Sequence, residues 1–190
     1  MIKKLIAFLL AITCLFSPAL GQDATLLLDA SAPANASVLN AEKNAQSFLA
    51  GEVDGKPAIE VKWDTASNRV LELVFANGPA IEGIAEGKTL LIEINRTNLQ
   101  GFSGLGVRVK DVSGRIFHYP AKLEGAGGGW ESFPVEIGSD LAPQQFGHGA
   151  ANEKKSLPDE PAVLLSLVFR APANFSDEAS IAIGNITIEE

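Results

Sequence analysis

The side chains with the clearest capacity for chemistry in this sequence are aromatic rings and planar polar groups. An aromatic ring offers a flat apolar face, whereas guanidinium, imidazole and ammonium groups offer hydrogen-bond donors. A sugar ring needs that combination, because one of its sides is apolar and its hydroxyls require polar partners. The candidate set for such a site is Arg108, Lys110, His118, Trp130, Phe146 and His148.

The strand that carries His118 decides which of these side chains share a surface. Adjacent residues on a strand point to opposite faces, so His118 cannot face the same ligand as Tyr119. With Tyr119 facing inward, His118 lies on a polar outer face, and Arg108 and Lys110 of the neighbouring strand lie there too. We predict ligand binding on this face, the alternative being an ordinary solvated sheet. The face is larger if further strands join the same sheet, through Glu60, Lys62, Asp64, Glu72 and Glu93.

The two tryptophans differ in their phase relative to the apolar residues around them. Trp63 shares a face with Ile59 and Val61, so we predict that it packs in the core. Trp130 begins a strand and is out of phase with Phe133. Its ring is either exposed, and then a platform for stacking, or packed in the core, which we favour.

The sequence contains no catalytic constellation, and we predict no catalytic residues. Neither histidine sits in a nucleophile motif, and the glycine run before Trp130 lacks the ending of a phosphate loop. The sharpest enzymatic alternative is a small jelly-roll polysaccharide lyase. It would pair Tyr119 with His148 as acid and base, since His118 points away from Tyr119.

The elements that must position these side chains are short strands. Apolar residues alternate with polar ones from residue 57 onward, and turn residues separate the runs. Only residues 41–49 could form a short helix, and a strand over residues 46–50 competes with it. The pattern predicts an all-β fold, an antiparallel two-sheet β-sandwich of jelly-roll type.

Three local features interrupt the strands. The residues from Asp111 to Gly114 predict a hairpin turn between two strands. Apolar alternation breaks register at Gly184 and Asn185, which is typical of a β-bulge. Residues 138–161 are polar and rich in proline and glycine, and they predict a long loop that either contacts ligand or forms an ordinary surface.

The beginning of the chain predicts export. Lys3 and Lys4 precede an apolar run of residues 5–16, and small residues stand before a cleavage position after Gly21. A retained anchor would need a longer apolar run, and a lipid on Cys14 is disfavoured by the bulky Thr13 before it. We expect a signal peptide over residues 1–21, one domain over residues 22–190, and a secreted or periplasmic protein without disulfides.

The charge balance bears on partners. The formal net charge is −8, with 15 Lys and Arg against 23 Asp and Glu, and removal of residues 1–21 makes it more negative. This balance argues against nucleic acid as a partner and, after signal cleavage, against a membrane surface.

The sequence from Leu105 to Ile137, LGVRVKDVSGRIFHYPAKLEGAGGGWESFPVEI, resembles the centre of galactose-binding-like jelly-roll domains that accompany bacterial glycoside hydrolases. The shared features are a strand ending in Asp111, a glycine turn, an aromatic-rich strand, and Trp130 after glycine. The resemblance implies a carbohydrate-binding-module fold and a polysaccharide or glycan partner. It also implies a structural calcium ion between the first and last strands, with Asp29 and Asn185 as ligands. The alternative for Asp29, which we favour, is a cap at the end of the first strand.

Three hypotheses about function follow. The first is an exported, non-catalytic carbohydrate-binding protein, which we favour. The second is a structural or interaction protein of the cell envelope that recognises protein with the same sheet. The third is the polysaccharide lyase.

Overall fold

The computed structural model describes residues 24–32, 39–41, 45–64, 69–75, 77–96, 104–121, 128–138, 144–146, 157–171 and 178–189. The predicted signal peptide and His148 lie outside these residues. In this part of the chain no helix combines the length and the apolar character that crossing a membrane requires.

The described residues form thirteen strands and one short 3-10 turn over Ile84–Glu86. In chain order the strands are β1 (Ala24–Leu28), β2 (Leu39–Ala41), β3 (Ala45–Val53), β4 (Lys56–Asp64), β5 (Val70–Phe75), β6 (Ala80–Ile81), β7 (Lys88–Asn95), β8 (Gly104–Lys110), β9 (Ile116–Ala121), β10 (Trp130–Ile137), β11 (Gln144–Phe146), β12 (Ala162–Arg170) and β13 (Glu178–Glu189).

These strands build two antiparallel sheets. The six-stranded sheet has the order β10-β7-β13-β4-β3, with β1 paired to β13. The seven-stranded sheet has the order β11-β9-β8-β12-β5-β2, with β6 paired to β12. Neighbours in each sheet are mostly distant in sequence, as in a jelly roll, so the predicted fold class is confirmed.

The core lies between the two sheets. Val107 and Val109 of the seven-stranded sheet and Phe133 and Val135 of the six-stranded sheet are all buried, and they belong to one continuous apolar cluster. Burying a side chain of this size contributes about 1.5–3 kcal/mol. The predicted alternation is therefore confirmed on both sheets.

The predicted bulge at Gly184 and Asn185 is present and joins three strands. The pairing of β13 with β7 shifts register between Ile183 and Ile186. The Asn185 amide donates to Oε2 of Glu93 on β7 at 3.0 Å, and the Asn185 side-chain oxygen accepts from the Ala30 amide, just after β1, at 3.0 Å. The extra residue thus turns its polar groups toward both neighbouring strands.

The structure decides one open alternative of local structure and corrects one prediction. Residues 45–53 form a strand and not a helix, because they pair along most of β4. The segment 138–161 is not a simple loop, since β11 within it pairs with β9. The hairpin turn is confirmed, with the Gly114 amide donating to the Asp111 carbonyl at 3.0 Å.

Candidate functional site

The outer face of the seven-stranded sheet carries polar side chains on four neighbouring strands. Arg108 on β8 is paired in register with His118 on β9 and with Ser166 on β12, and directly paired side chains lie on the same face. Glu72 on β5 contacts this group from the far side of β12. We call Glu72, Ser166, Arg108 and His118 the polar row.

Hydrogen bonds hold the polar row in place. Oε2 of Glu72 accepts from Nη1 of Arg108 at 2.6 Å, and Oε1 accepts from the Ser166 hydroxyl at 2.6 Å. The pair spans β12, which lies between β5 and β8. The Arg108 and Glu72 side chains are 24% and 28% exposed. They are therefore ordered by their neighbours and still accessible to a ligand.

The imidazole of His118 lies over the backbone of Gly106. A Cβ atom on Gly106 would lie 2.1 Å from Cε1 of His118, so only glycine leaves room for the ring in this position. The pKa of His118 is lowered from its ordinary value by burial, with a further contribution from the charges of Arg108 and Arg170, while Glu72 acts in the opposite direction. The ring is neutral at pH 7 and has both a donor and an acceptor.

The polar row is bordered by other side chains of the same outer face. Lys110 is exposed at one end of β8. Val74, Ile116 and Val168 are half-buried beside the row. Planar donors and acceptors next to partly exposed apolar groups match what the hydroxyls and the apolar side of a sugar require.

The structure places Trp130 on the other sheet. It lies at the start of β10, out of phase with the buried residues, so it belongs to the outer face of the six-stranded sheet. Its Nε1 donates to the Val53 carbonyl at 3.0 Å, and Nζ of Lys56 lies 5.0 Å from its ring centroid. The ring packs on that outer face, so the core packing that we favoured for it was wrong, and it does not join the polar row.

The larger polar face expected from the sequence is divided between the two sheets. Glu72 lies on the seven-stranded sheet beside Arg108. Glu60, Lys62 and Glu93 belong to β4 and β7 of the six-stranded sheet, so the condition under which they would extend this face is not met. Alternation along one strand fixes which face a residue occupies, but it does not fix which sheet the strand joins.

The two remaining candidates are only partly covered by the structure. Phe146 is paired with Ile116 at the edge of the seven-stranded sheet, but its side chain lies outside the described residues. His148 lies wholly outside them, as does the Trp63 side chain. The roles expected for these residues stay predictions.

Tyr119 is fully enclosed in the core. Burial raises the pKa of its hydroxyl to about 12, and the Gly138 backbone acts in the opposite direction. His118 and Tyr119 point to opposite faces, as expected. A tyrosine in this position does not face the polar row, and its expected partner His148 lies outside the described residues.

The proposed calcium ligands meet at the junction of the first and last strands. Oδ1 of Asp29 accepts from the amide of Ser31 at 2.9 Å and from its hydroxyl at 2.6 Å, which lowers the pKa of Asp29. The Asn185 oxygen accepts from the Ala30 amide. Among the described residues no group of three or more acidic, histidine or cysteine side chains is arranged so that it could hold a metal ion, and calcium takes six to eight oxygens. Hydrogen bonding is the role that the geometry gives to this pair, and calcium binding there stays a prediction.

One charged cluster escaped the sequence analysis. The Asp111 carboxylate is buried beneath the β8–β9 turn and accepts from the Arg115 side chain at 2.9 Å and the Ser113 hydroxyl at 2.7 Å. Arg115 also pairs with Asp159. Through the contacts of Asp159 with Asp111 and Arg115, the cluster joins the segment before β12, residues 157–159, to the β8–β9 turn. In the sequence only Asp111, which directly follows β8, indicated this cluster, because Asp159 is 48 residues away from Asp111.

Comparison with solved structures shows which known proteins share this fold. The family 30 carbohydrate-binding module of a cellulosomal cellulase from Clostridium thermocellum is 12% identical, with a TM-score of 0.56 over 88% of this chain and 97% of the module. The family 11 module from Clostridium thermocellum, solved in complex with a β-1,3-1,4-mixed-linked tetrasaccharide, is 10% identical, with a TM-score of 0.55 over 87% of this chain and 95% of the module.

An exo-β-agarase is 15% identical with a TM-score of 0.57, and the match covers 86% of this chain but only 25% of the agarase. The chain thus spans about a quarter of the length of that enzyme. No protein-family model matches the sequence, and no curated protein matches it. The chain has the jelly-roll fold of carbohydrate-binding modules.

Proposed function

We propose that this protein binds polysaccharide, without catalysis, on the outer face of its seven-stranded sheet. The observation that carries the proposal is the polar row, in which Glu72 fixes Arg108 and Ser166 at 2.6 Å each. The shared fold with carbohydrate-binding modules supports the same conclusion.

The geometry gives each group a role in binding. Arg108 donates to sugar hydroxyls with the edge of its guanidinium that does not contact Glu72, and the neutral His118 ring donates or accepts. The half-buried apolar side chains Val74, Ile116 and Val168 contact the apolar side of the sugar. Because the polar row is already ordered in the free protein, little conformational entropy is lost on binding.

We also propose that the protein is exported and that it is not an enzyme. Export rests on residues 1–21, whose pattern is that of a cleaved signal peptide. The non-catalytic role is supported by the burial of Tyr119 away from the polar row. The alternative is a cell-envelope protein with the same fold that recognises another protein. Absence of binding to any polysaccharide in the experiment below would favour that alternative.

The test is isothermal titration calorimetry of the full-length mature protein, residues 22–190, with a panel of soluble polysaccharides that includes mixed-linked β-glucan, xylan, galactan and pectin. The double variant Arg108→Gln/Glu72→Gln removes the ion pair without leaving an unpaired charge. We expect it to lower the affinity about tenfold or more while the protein stays folded by circular dichroism.

The matched control is Lys56→Gln/Glu93→Gln, which removes the 2.5 Å ion pair on the six-stranded sheet. We expect the control to bind like the wild type. An equal loss of polysaccharide affinity in both variants would contradict binding on the seven-stranded sheet. If the wild type bound no polysaccharide of the panel, the proposed function itself would be contradicted.

A further inference from the structure

The two outer faces of the sandwich differ in the sign of their charge. Among the described strand residues, the outer face of the seven-stranded sheet carries three permanent cations, Arg108, Lys110 and Arg170, against one acid, Glu72. Arg170 and Lys110 are exposed, and Glu72 is already paired with Arg108. The described strand residues of this face therefore carry a positive balance, in a chain whose formal net charge is −8.

The outer face of the six-stranded sheet has the opposite balance. Its described strand residues include four glutamates against two lysines, namely Glu60, Glu93, Glu136 and Glu189 against Lys56 and Lys62. The basic and acidic strand residues thus lie mainly on different faces, which the formal net charge of the chain does not show. The acidic face lies on the other side of the two-sheet core. Exposed charges farther apart than the Debye length, about 8 Å at physiological salt, are largely screened from each other, so a ligand on the seven-stranded sheet interacts mainly with the cations that it contacts.

The three cations of the seven-stranded sheet are arranged along the direction of β8. Arg170 is level with Gly104 at the beginning of β8, and Arg108 and Lys110 follow on the same strand and the same face. At about 3.3 Å per residue, Lys110 is about 7 Å beyond Arg108, and Arg170 lies about 13 Å on the other side of it. Positive charge therefore recurs over about 20 Å, which is the arrangement expected for a ligand whose negative charge recurs along an extended chain.

We infer that the ligand of this face is an anionic polysaccharide, with carboxylate or sulfate groups that pair with Arg108, Lys110 and Arg170. The inference rests on the proposed function and specifies its substrate class. Carboxylate and sulfate share the chemistry that an arginine or lysine recognises, and the experiment separates the two.

The test uses pairs of polysaccharides that share a backbone and differ in charge. The pairs are polygalacturonate and its methyl ester, carboxymethylcellulose and hydroxyethylcellulose, and a sulfated galactan and its desulfated form. We expect the wild-type protein to bind the anionic member of at least one pair about fivefold or more tightly, with an affinity that falls as sodium chloride is raised. The first two pairs report on carboxylates and the third on sulfates.

The variant Lys110→Gln/Arg170→Gln removes two positive charges from the basic face. We expect it to bind the preferred anionic polysaccharide about fivefold or more weakly. The control Lys56→Gln/Lys62→Gln removes two positive charges from the six-stranded sheet, and we expect its affinity to stay within about twofold of the wild type. An equal loss in both variants would show that overall charge and not this face governs binding, and it would overturn the inference.

The remaining outcomes separate the two proposals. Binding of the neutral member as tightly as the anionic one in every pair would overturn the anionic ligand and leave polysaccharide binding in place. Failure to bind either member of any pair, or any polysaccharide of the first panel, would overturn both.

Discussion

The imidazole of His118 on β9 occupies the space above Gly106 on β8 that any larger residue would fill. The 2.1 Å separation between Cε1 and a Cβ built on Gly106 means that the two groups exclude each other. The position of this outward-facing polar side chain is therefore set by the absence of a side chain on the next strand.

The variant Gly106→Ala should displace His118 without unfolding the domain, because a side chain can rotate away from the new methyl group. We expect polysaccharide affinity to fall about fivefold, with little change in the thermal midpoint. Gly104→Ala is the control, since a Cβ there would make an ordinary 3.7 Å contact with Arg170. Equal affinity of the two variants in calorimetric titration would contradict a role for the His118 position.

The pH dependence of binding should report on the same ring. The pKa of His118 is held below its ordinary 6.5 by burial, Arg108 and Arg170, against Glu72, and a bound anion would raise that pKa. The affinity for an anionic polysaccharide should therefore increase as the pH falls from 7 through the His118 pKa. His118→Asn should abolish this increase.

The same lowered pKa also affects the unfolding equilibrium. Protonation of His118 is less favourable in the folded state, so its contribution to stability is complete above pH 6.5 and declines as the pH falls toward the folded-state pKa. Titrations should be accompanied by circular dichroism. An affinity that stays constant in the folded protein as the pH falls from 7 through the pKa of His118, followed by nuclear magnetic resonance of the ring, would show that no anionic group lies close to His118.

The Asp111 cluster should stabilise the domain against acid. Burial of the Asp111 carboxylate opposes its ionisation, but hydrogen bonds from Ser113, Arg115 and Asp159 outweigh burial and lower its pKa from 3.8. Its contribution to the free energy of unfolding is thus present above pH 3.8 and is lost as the pH falls through the folded-state pKa.

Asp111→Asn should cost about 3 kcal/mol in urea unfolding at pH 7, because it leaves the buried Arg115 with a weaker partner. Asp159 also pairs with Arg115, but its side chain is 41% exposed. Asp159→Asn should therefore cost less than about 1 kcal/mol. An equal decrease in the free energy of unfolding for Asp159→Asn and Asp111→Asn would show that Asp111 is not the main partner of Arg115.

Gly184 should be the least replaceable residue of the β13 bulge. A Cβ there would lie 2.9 Å from Cβ of Glu93 and 3.0 Å from Cζ3 of Trp130. Gly184→Ala should therefore lower the free energy of unfolding by about 1–3 kcal/mol. Gly51→Ala on β3, where nothing lies within 4 Å of the new methyl group, should have no such effect in the same urea titration. Similar values for the two variants would show that the bulge tolerates a side chain.

Local sequence pattern predicted the fold where strands are regular and well separated by turns. Alternation assigned Val107 and Val109 to the core, and the break at Gly184 and Asn185 located the bulge, because both features are encoded within a few residues. The pattern was ambiguous at β3, where residues 45–53 form a strand through their pairing with β4, a contact that local propensity does not contain.

The candidate site was predicted in part for the same reason. Arg108 and His118 are joined by one hairpin, so their shared face followed from alternation. Glu72 and Ser166 reach Arg108 from β5 and β12, and only the sheet order places them there. Trp130 was correctly taken to be out of phase with Phe133, but its favoured packing in the core was wrong, and the sheet to which β10 belongs could not be derived from its own sequence.

The most direct test of the binding face is chemical-shift mapping by nuclear magnetic resonance on the labelled mature protein, titrated with an oligosaccharide of the preferred polysaccharide. The account predicts that the largest amide shifts cluster at residues 104–110, 116–120 and 166–170, while the indole NH of Trp130 on the opposite sheet is unchanged. Shifts centred on Trp130, Lys56 and Glu93 would contradict it.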